Sequence, residues 1–223
     1  MSFEIRVVSL IGDESRRDNI ISQLQTFHIS KYVTSAVNGK LISAYDYFSM
    51  FQSETSKLFG RKYLTPSELG CFLSHKKAIG EFLQSESEWL IVLEDDVSIR
   101  NVELFESVIK GGKELNINAI YILGGQDGLK SFKRVIMSPT KGPFRKVLFG
   151  THRWIYRTCS YMISKVVAKR MHDVMLNIRY MSDDWTYIMS KCGVNDVYYS
   201  DCFSHPLQLT NSNIEAERVF LNK

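Results

Sequence analysis

Apolar residues fall in two rhythms along this chain. Short, nearly continuous runs at Ile5 to Ile11, Val33 to Val37, Trp89 to Leu93, Ala119 to Leu123 and Ser160 to Ile163 have the length and content of buried strands. Between them the spacing turns helical. An amphipathic stretch follows the Gly12-Asp13 turn to about Phe27, others cover 101 to 115 and Ser164 to about Leu176, and a further helix opens at Ser182-Asp183-Asp184-Trp185 with Ser182 as its expected N-cap. The clearest helix start is Thr65-Pro66-Ser67-Glu68. Threonine caps, proline suits the first helical position, and the glutamate can bond back to the N–H of the cap. Leu69, Phe72, Leu73, Ile79, Phe82 and Leu83 then recur at helical spacing and should face a sheet. Residues 132 to 149 resemble hairpin material around Pro139 to Pro143, while the aromatic-rich residues 41 to 60 fit neither rhythm. Helices interleaved with strands predict an α/β sandwich around a mixed sheet. The lack of a repeat or a Pro/Gly/Ser linker predicts one domain across residues 1–223.

No apolar run approaches the roughly 20 residues of a membrane-spanning helix, and residues 3 to 11 are too short and too charged for a signal peptide, so a cytoplasmic protein is expected. Cys71, Cys159, Cys192 and Cys202 match no zinc-ligand spacing, and the apolar surroundings of Cys71 and Cys159 predict reduced, buried thiols. The net charge of +4 hides an asymmetry: residues 128 to 172 carry eleven Lys and Arg and no Asp or Glu. The remainder, with 17 basic and 24 acidic residues, is therefore −7. Interleaved with Phe132, Phe144, Phe149, Trp154 and Tyr156, this basic segment is suited to phosphates, anionic sugars or an anionic membrane, or is a solvated face without a partner. No nucleic-acid-binding signature accompanies it.

The run Trp89-Leu90-Ile91-Val92-Leu93 delivers Glu94, Asp95 and Asp96 at the carboxyl end of a buried strand. Three adjacent carboxylates repel one another, and a hard divalent cation relieves that repulsion most simply. Ligands of open α/β sheets bind beyond the carboxyl ends of the strands, which suits a metal and phosphate site; an acidic turn after a core strand is the alternative. Asp183 and Asp184 are either acids stabilising a helix dipole or a second acidic site. His75 lies within a helix, where a structural role is commoner, and His205 is a loop histidine or a further ligand. Gly124-Gly125-Gln126-Asp127 is a plain turn or part of a pocket wall.

Several motifs occur in an order that resembles glycosyltransferase family 25, the bacterial lipopolysaccharide and lipooligosaccharide sugar transferases. They are Val8-Ser9-Leu10 with Arg16-Arg17, Ala36-Val37-Asn38-Gly39, Leu64-Thr65-Pro66-Ser67-Glu68-Leu69-Gly70-Cys71 with Ser74-His75, Leu93-Glu94-Asp95-Asp96-Val97, Ser160 to Lys165, and Ser182-Asp183-Asp184-Trp185. The resemblance implies a GT-A-like nucleotide-sugar-binding sandwich with a central mixed, mostly parallel sheet, its N-terminal half binding donor and metal and its C-terminal half the acceptor. It implies inverting transfer of a hexose, galactose or glucose, from a UDP-sugar to a lipopolysaccharide core saccharide, with Mn2+ or Mg2+ as the divalent cation. Asp96 is then the first metal ligand, with His205 completing the shell, and Ser9, Arg16, Glu94, Asp95 and Asp96 meet the donor. Asp184 or Asp183 takes the proton of the acceptor hydroxyl, with Asp184 narrowly favoured. The expected partners are a nucleotide sugar, a lipooligosaccharide and, through residues 130–170, the anionic inner membrane. A non-catalytic sugar-nucleotide or glycan-binding module on the same fold is the competing expectation. Gly12, where relatives often carry a basic or polar residue, and the short tail after Gln208 depart from the family pattern.

Overall fold

The computed structural model describes residues 1–52, 63–111, 115–207, 214, 217 and 218. Eight strands form one sheet: β1 (Phe3–Ser9), β2 (Ser30–Ser35), β3 (Trp89–Glu94), β4 (Ser98–Ile99), β5 (Ala119–Gly124), β6 (Arg145–Lys146), β7 (Ser160–Ser164) and β8 (Asp196–Ser204). Their order is β2-β1-β3-β7-β5-β8-β4, with β6 also pairing β8. β1, β2, β3, β5 and β8 share one direction, and β4, β6 and β7 oppose it. The sheet is therefore mixed and mostly parallel in sense.

Both faces are covered at the centre of the sheet, which is why β3 and β5 are near-continuous apolar runs, while the edge strand β2 is polar and largely exposed. Along β3, Leu90 and Val92 enter one core and Trp89, Ile91 and Leu93 the other. The first core packs under α3 (Pro66–Leu83), α5 (Lys165–Asn177) and α6 (Trp185–Cys192); the second packs under α1 (Glu14–Leu24) and α4 (Val102–Lys110). Each such buried Leu, Ile or Phe side chain contributes roughly 1.5–3 kcal/mol. A short helix, α2 (Ala44–Met50), occupies part of the aromatic-rich stretch. Residues 53–62 of that region lie outside the described residues, as do residues 112–114 at the end of the helix expected over 101 to 115.

The start of α3 follows its sequence signature. Thr65 Oγ1 accepts from Glu68 N at 3.2 Å, and Glu68 Oε2 accepts from Thr65 N at 2.9 Å. Leu69, Phe72, Ile79 and Phe82 are buried as expected, with Leu73 and Leu83 partly so. Two glycines let the chain after β2 lie directly on this helix: a Cβ on Gly70 would stand 2.6 Å from Gly39 N. Ser74 Oγ fixes the contact by accepting from Val37 N at 2.8 Å. The Val37 to Gly39 and Gly70 motifs, distant in sequence, are thus two sides of one close approach.

Three local expectations change. The helix expected from Ser182 starts at Trp185, because the cap is Asp184, whose side chain accepts from Tyr187 N at 3.1 Å. The hairpin over 132 to 149 is reduced to the bridges Met137–Val147 and Lys141–Phe144, since β6 pairs with β8 instead of an opposite arm. The first strand stops at Ser9, leaving Ile11 exposed. No helix among the described residues is long and apolar enough to cross a membrane.

Candidate active site

The carboxyl ends of β1, β3, β5 and β8 share one edge of the sheet, and β7 begins there, so the residues around these ends converge. Over that edge lies a cleft of about 390 Å³ whose lining includes Asp13, Arg16, Cys71, His75, Glu94, Asp95, Asp96, Arg157, Asp183 and His205. After Glu94 the chain turns through Asp95-Asp96 and passes the ends of β7 and β5 to lay β4 against the last residues of β8, with Ser98 opposite Ser204 and Ile99 opposite Phe203. That crossing sets Asp96 beside His205, the residue that follows β8. His205 Nε2 stands 3.3 Å from Asp96 Oδ2.

Asp96 Oδ1 is buried and has no hydrogen-bond partner. One ligand atom from each of Glu94, Asp96 and His205 lies within 4.8 Å of the other two. An unsatisfied buried carboxylate oxygen is costly, and a divalent cation held by two carboxylates and an imidazole would satisfy it, so these residues fit one. The electrostatics agree. Burial alone would raise the Asp96 pKa, but the hydrogen bond and charge of His205, with Arg16, hold it below the ordinary carboxylate value. Burial opposes charge on His205, and the bond and charge of Asp96 outweigh it, raising its pKa. His205 is itself anchored, its N–H donating to Asp127 Oδ2 at 2.9 Å while Asp127 pairs with Arg100.

Asp95 points elsewhere. Its Oδ1 is 3.7 Å from Arg16 Nε, and Arg16 also pairs with Asp13. Burial pushes the Asp95 carboxyl up to about 6, against the hydrogen bond from Ser9 and the charge of Arg16. Ser9 and Arg16 therefore meet the acidic turn through Asp95. Arg17 pairs with Asp18 and is not among the cleft-lining residues.

His75 is buried, yet it lines the cleft. Its Nδ1 is 3.1 Å from Tyr161 OH, and its Nε2 is 3.5 Å from Glu94 Oε1 and 3.3 Å from Thr158 Oγ1. Cys71 precedes it by one helical turn and is only half-buried, opening onto the cleft, which the apolar character of its neighbours in sequence did not suggest. Cys159, Cys192 and Cys202 are buried, and all four thiols are free.

The opposite wall separates the two aspartates. Asp184 is 1% exposed and its side chain caps α6, whereas Asp183 lines the cleft. Burial pushes the Asp183 carboxyl up, and its Oδ2 accepts from Arg157 N at 3.1 Å. Arg157 has a φ of 68°, a conformation a bulky residue adopts only under local constraint. Its guanidinium supplies the constraint by donating to Gly125 O at 3.1 Å and Asp127 O at 3.0 Å. In the sequence Arg157 is one basic residue among the eleven of 128 to 172, and Thr158 has no motif around it to mark it. Trp185 is buried against Tyr161, at 5.6 Å between ring centroids, so it offers the cleft no open sugar-stacking face. Trp154 is outside the cleft lining, with Arg134 4.5 Å above its ring.

Fold and site define an α/β protein with an acidic, cation-compatible cleft over the carboxyl ends of its strands. Residues 3–186 match the model of glycosyltransferase family 25 (LPS biosynthesis protein), and the chain belongs to that family. It is 28% identical over 181 residues to procollagen galactosyltransferase 2 of Mus musculus, covering 75% of this chain and 27% of that protein. It is also 27% identical over 223 residues to the probable inactive glycosyltransferase 25 family member 3 of Rattus norvegicus, covering 92% of this chain and 36% of that protein. The chain thus spans roughly a third or less of the curated relatives it matches. Among solved structures, CMP:2-keto-3-deoxy-manno-octonic acid synthetase complexed with CTP aligns with 100% of this chain and 99% of its own at a TM-score of 0.52 and 10% identity, a likeness of fold. The sandwich is GT-A-like.

Proposed function

We propose that the protein is an inverting hexosyltransferase that moves galactose or glucose from a UDP-sugar to a lipopolysaccharide or lipooligosaccharide core saccharide. The observation that carries this reading is the unpartnered Asp96 Oδ1 beside His205 and Glu94, in the cleft of a family 25 chain. A donor set of two carboxylates and one imidazole suits Mn2+ better than Mg2+, which favours oxygen alone. When bound, such a cation would neutralise the diphosphate as the glycosidic bond breaks. Arg16 and Arg157, both lining the cleft, add positive charge for the same diphosphate, and Asp95 holds Arg16 in place. For the base we favour Asp183 over Asp184. Inversion requires a carboxylate that faces the acceptor, and Asp183 lines the cleft while Asp184 is engaged at the helix cap. Burial raises the Asp183 pKa, which strengthens it as a base. Galactose gains support from the name of the mouse relative, and the lipopolysaccharide acceptor from the family description. The basic residues of 130–170 would hold an anionic acceptor or the inner-membrane surface.

A non-catalytic sugar-nucleotide or glycan-binding module is favoured by one observation, the similarity to a relative named as probably inactive. The two readings separate in one assay: UDP release from UDP-galactose and UDP-glucose with Mn2+ and a truncated lipooligosaccharide acceptor, with Asp96→Ala as control. Acceptor-dependent release that the control loses supports transfer. UDP binding without release from either donor supports the binding module.

A further inference from the structure

We propose a second metal site in the cleft, distinct in chemistry from the first: a zinc site formed by Cys71, His75 and Glu94. One ligand atom from each lies within 4.8 Å of the other two. Cys71 and His75 are four residues apart on α3 and so share a face of the helix. Glu94 reaches them from the end of β3, with His75 Nε2 to Glu94 Oε1 at 3.5 Å. A tetrahedral Zn2+ holds sulfur at about 2.3 Å and nitrogen at about 2.0 Å, which spaces neighbouring ligand atoms roughly 3.3–3.6 Å apart. The His75–Glu94 separation already has that value, and Cys71 Sγ lies within 4.8 Å of both partners.

The imidazole is prepared for this role. Tyr161 OH, 3.1 Å from Nδ1, can accept a hydrogen bond from a proton held on that nitrogen, the tautomer that leaves the Nε2 lone pair directed at the cleft. This is the orienting contact that metal-bound histidines commonly have. Thr158 Oγ1 is close to both Nε2, at 3.3 Å, and Glu94 Oε1, at 3.4 Å. Cys71 Sγ currently donates to Ser182 Oγ at 3.5 Å, a weak bond that metal binding would replace, and on binding the thiol releases its proton to solvent. Thiolate with imidazole selects Zn2+ over Mn2+ or Mg2+. Glu94 belongs to both groups of three, so Zn2+ held by Cys71 and His75 draws it away from Asp96 and His205. If the proposed transferase reading holds, zinc is therefore an inhibitor that acts through a carboxylate shared by the two sites.

The binding claim is tested without donor or acceptor, so its failure and the failure of the transferase reading are separate results. Co2+ titrated into the full chain should give thiolate-to-cobalt charge-transfer absorption at one equivalent, displaced by Zn2+. The band should vanish in Cys71→Ser, persist in Cys159→Ser and in His205→Ala, and need about tenfold more metal in Tyr161→Phe, where the orienting hydroxyl is gone. No band in the wild type, or an unchanged band in Cys71→Ser, overturns the site. A readout in the unmodified protein guards against misfolded variants: Zn2+ should protect Cys71 from iodoacetamide, followed by peptide mass, and Mn2+ should not. Labelling that proceeds equally fast with Zn2+ present overturns the proposal.

Discussion

Replacing Asp95 with asparagine should stabilise the metal-free protein at neutral pH. Asp95 is 8% exposed, and burial lifts its carboxyl from the ordinary 3.8 to about 6. A difference of that size corresponds to roughly 3 kcal/mol carried against folding once the group is ionised. That figure is already net of the attraction of Arg16, which stands 3.7 Å away and is itself part-exposed. Asparagine stands in for the neutral carboxyl, and Arg16 retains Asp13 as a partner, so the variant should recover most of the penalty. The net gain should be about 1–3 kcal/mol at pH 7.5 in EDTA. The pH dependence has a definite sign. Between pH 3.8 and about 6 the unfolded chain has released a proton that native Asp95 keeps, so the wild type loses stability as pH rises through this window. Above the window the penalty is constant, and below it the penalty is absent. Urea unfolding followed by the fluorescence of the buried Trp89 and Trp185 measures both proteins at pH 4, 5, 6 and 7.5. Subtracting one profile from the other isolates Asp95 from the His205 and Asp96 contributions. Parallel profiles, or a variant less stable than the wild type at pH 7.5, would refute the assignment of burial as the dominant effect.

Other perturbations separate the remaining roles. Mn2+ at a hundredfold excess over its Kd should add about 2.7 kcal/mol of stability, seen as a rise in Tm that Asp96→Ala abolishes; an equal rise in the variant would place the cation elsewhere. Asp183→Asn should cut transfer at least about 100-fold with little change in Tm, while Asp184→Ala should lower stability by about 1 kcal/mol through loss of the α6 cap. The reverse pattern in activity assays and melts would restore Asp184 as the base. Gly70→Ala should cost about 1–3 kcal/mol in denaturant unfolding, because its Cβ meets the backbone of Gly39; a neutral result would mean the two segments separate without cost. Thr65→Ala, which breaks the capping box of α3, should cost about 1 kcal/mol by the same measurement.

Features encoded over a few neighbouring residues were legible in the sequence: the β3 run and its acids, the Thr65 cap and the strand–helix alternation. In each, the local pattern and the tertiary environment demand the same residues. The site's remaining geometry depends on backbone events that leave almost no pattern. The approach of His205 to Asp96 depends on β4, two residues long, which crosses the strand ends and joins β8. A two-residue strand has no periodicity to detect. The distinction between Asp183 and Asp184 rests on which residue of the 182–184 turn caps α6, a matter of one position, and helix boundaries are uncertain by more than that from sequence. Here Asp184 N bonds to Met181 O at 2.9 Å and Trp185 N to Asp183 O at 2.9 Å, closing the turn so that the later aspartate caps and the earlier one lines the cleft. Cys71 and His75 differ from these cases. Their i, i+4 spacing was visible in the sequence and meant a shared face once the helix was assigned. The missing information was the direction of that face, because buried Phe72 and Ile79 occupy the neighbouring stripe and make the whole helix resemble a core element. Where α3 passes over the end of β3, the sheet stops and the apolar stripe gives way to a cleft. At that boundary a cysteine among apolar neighbours changes from a core residue into one that lines the cleft.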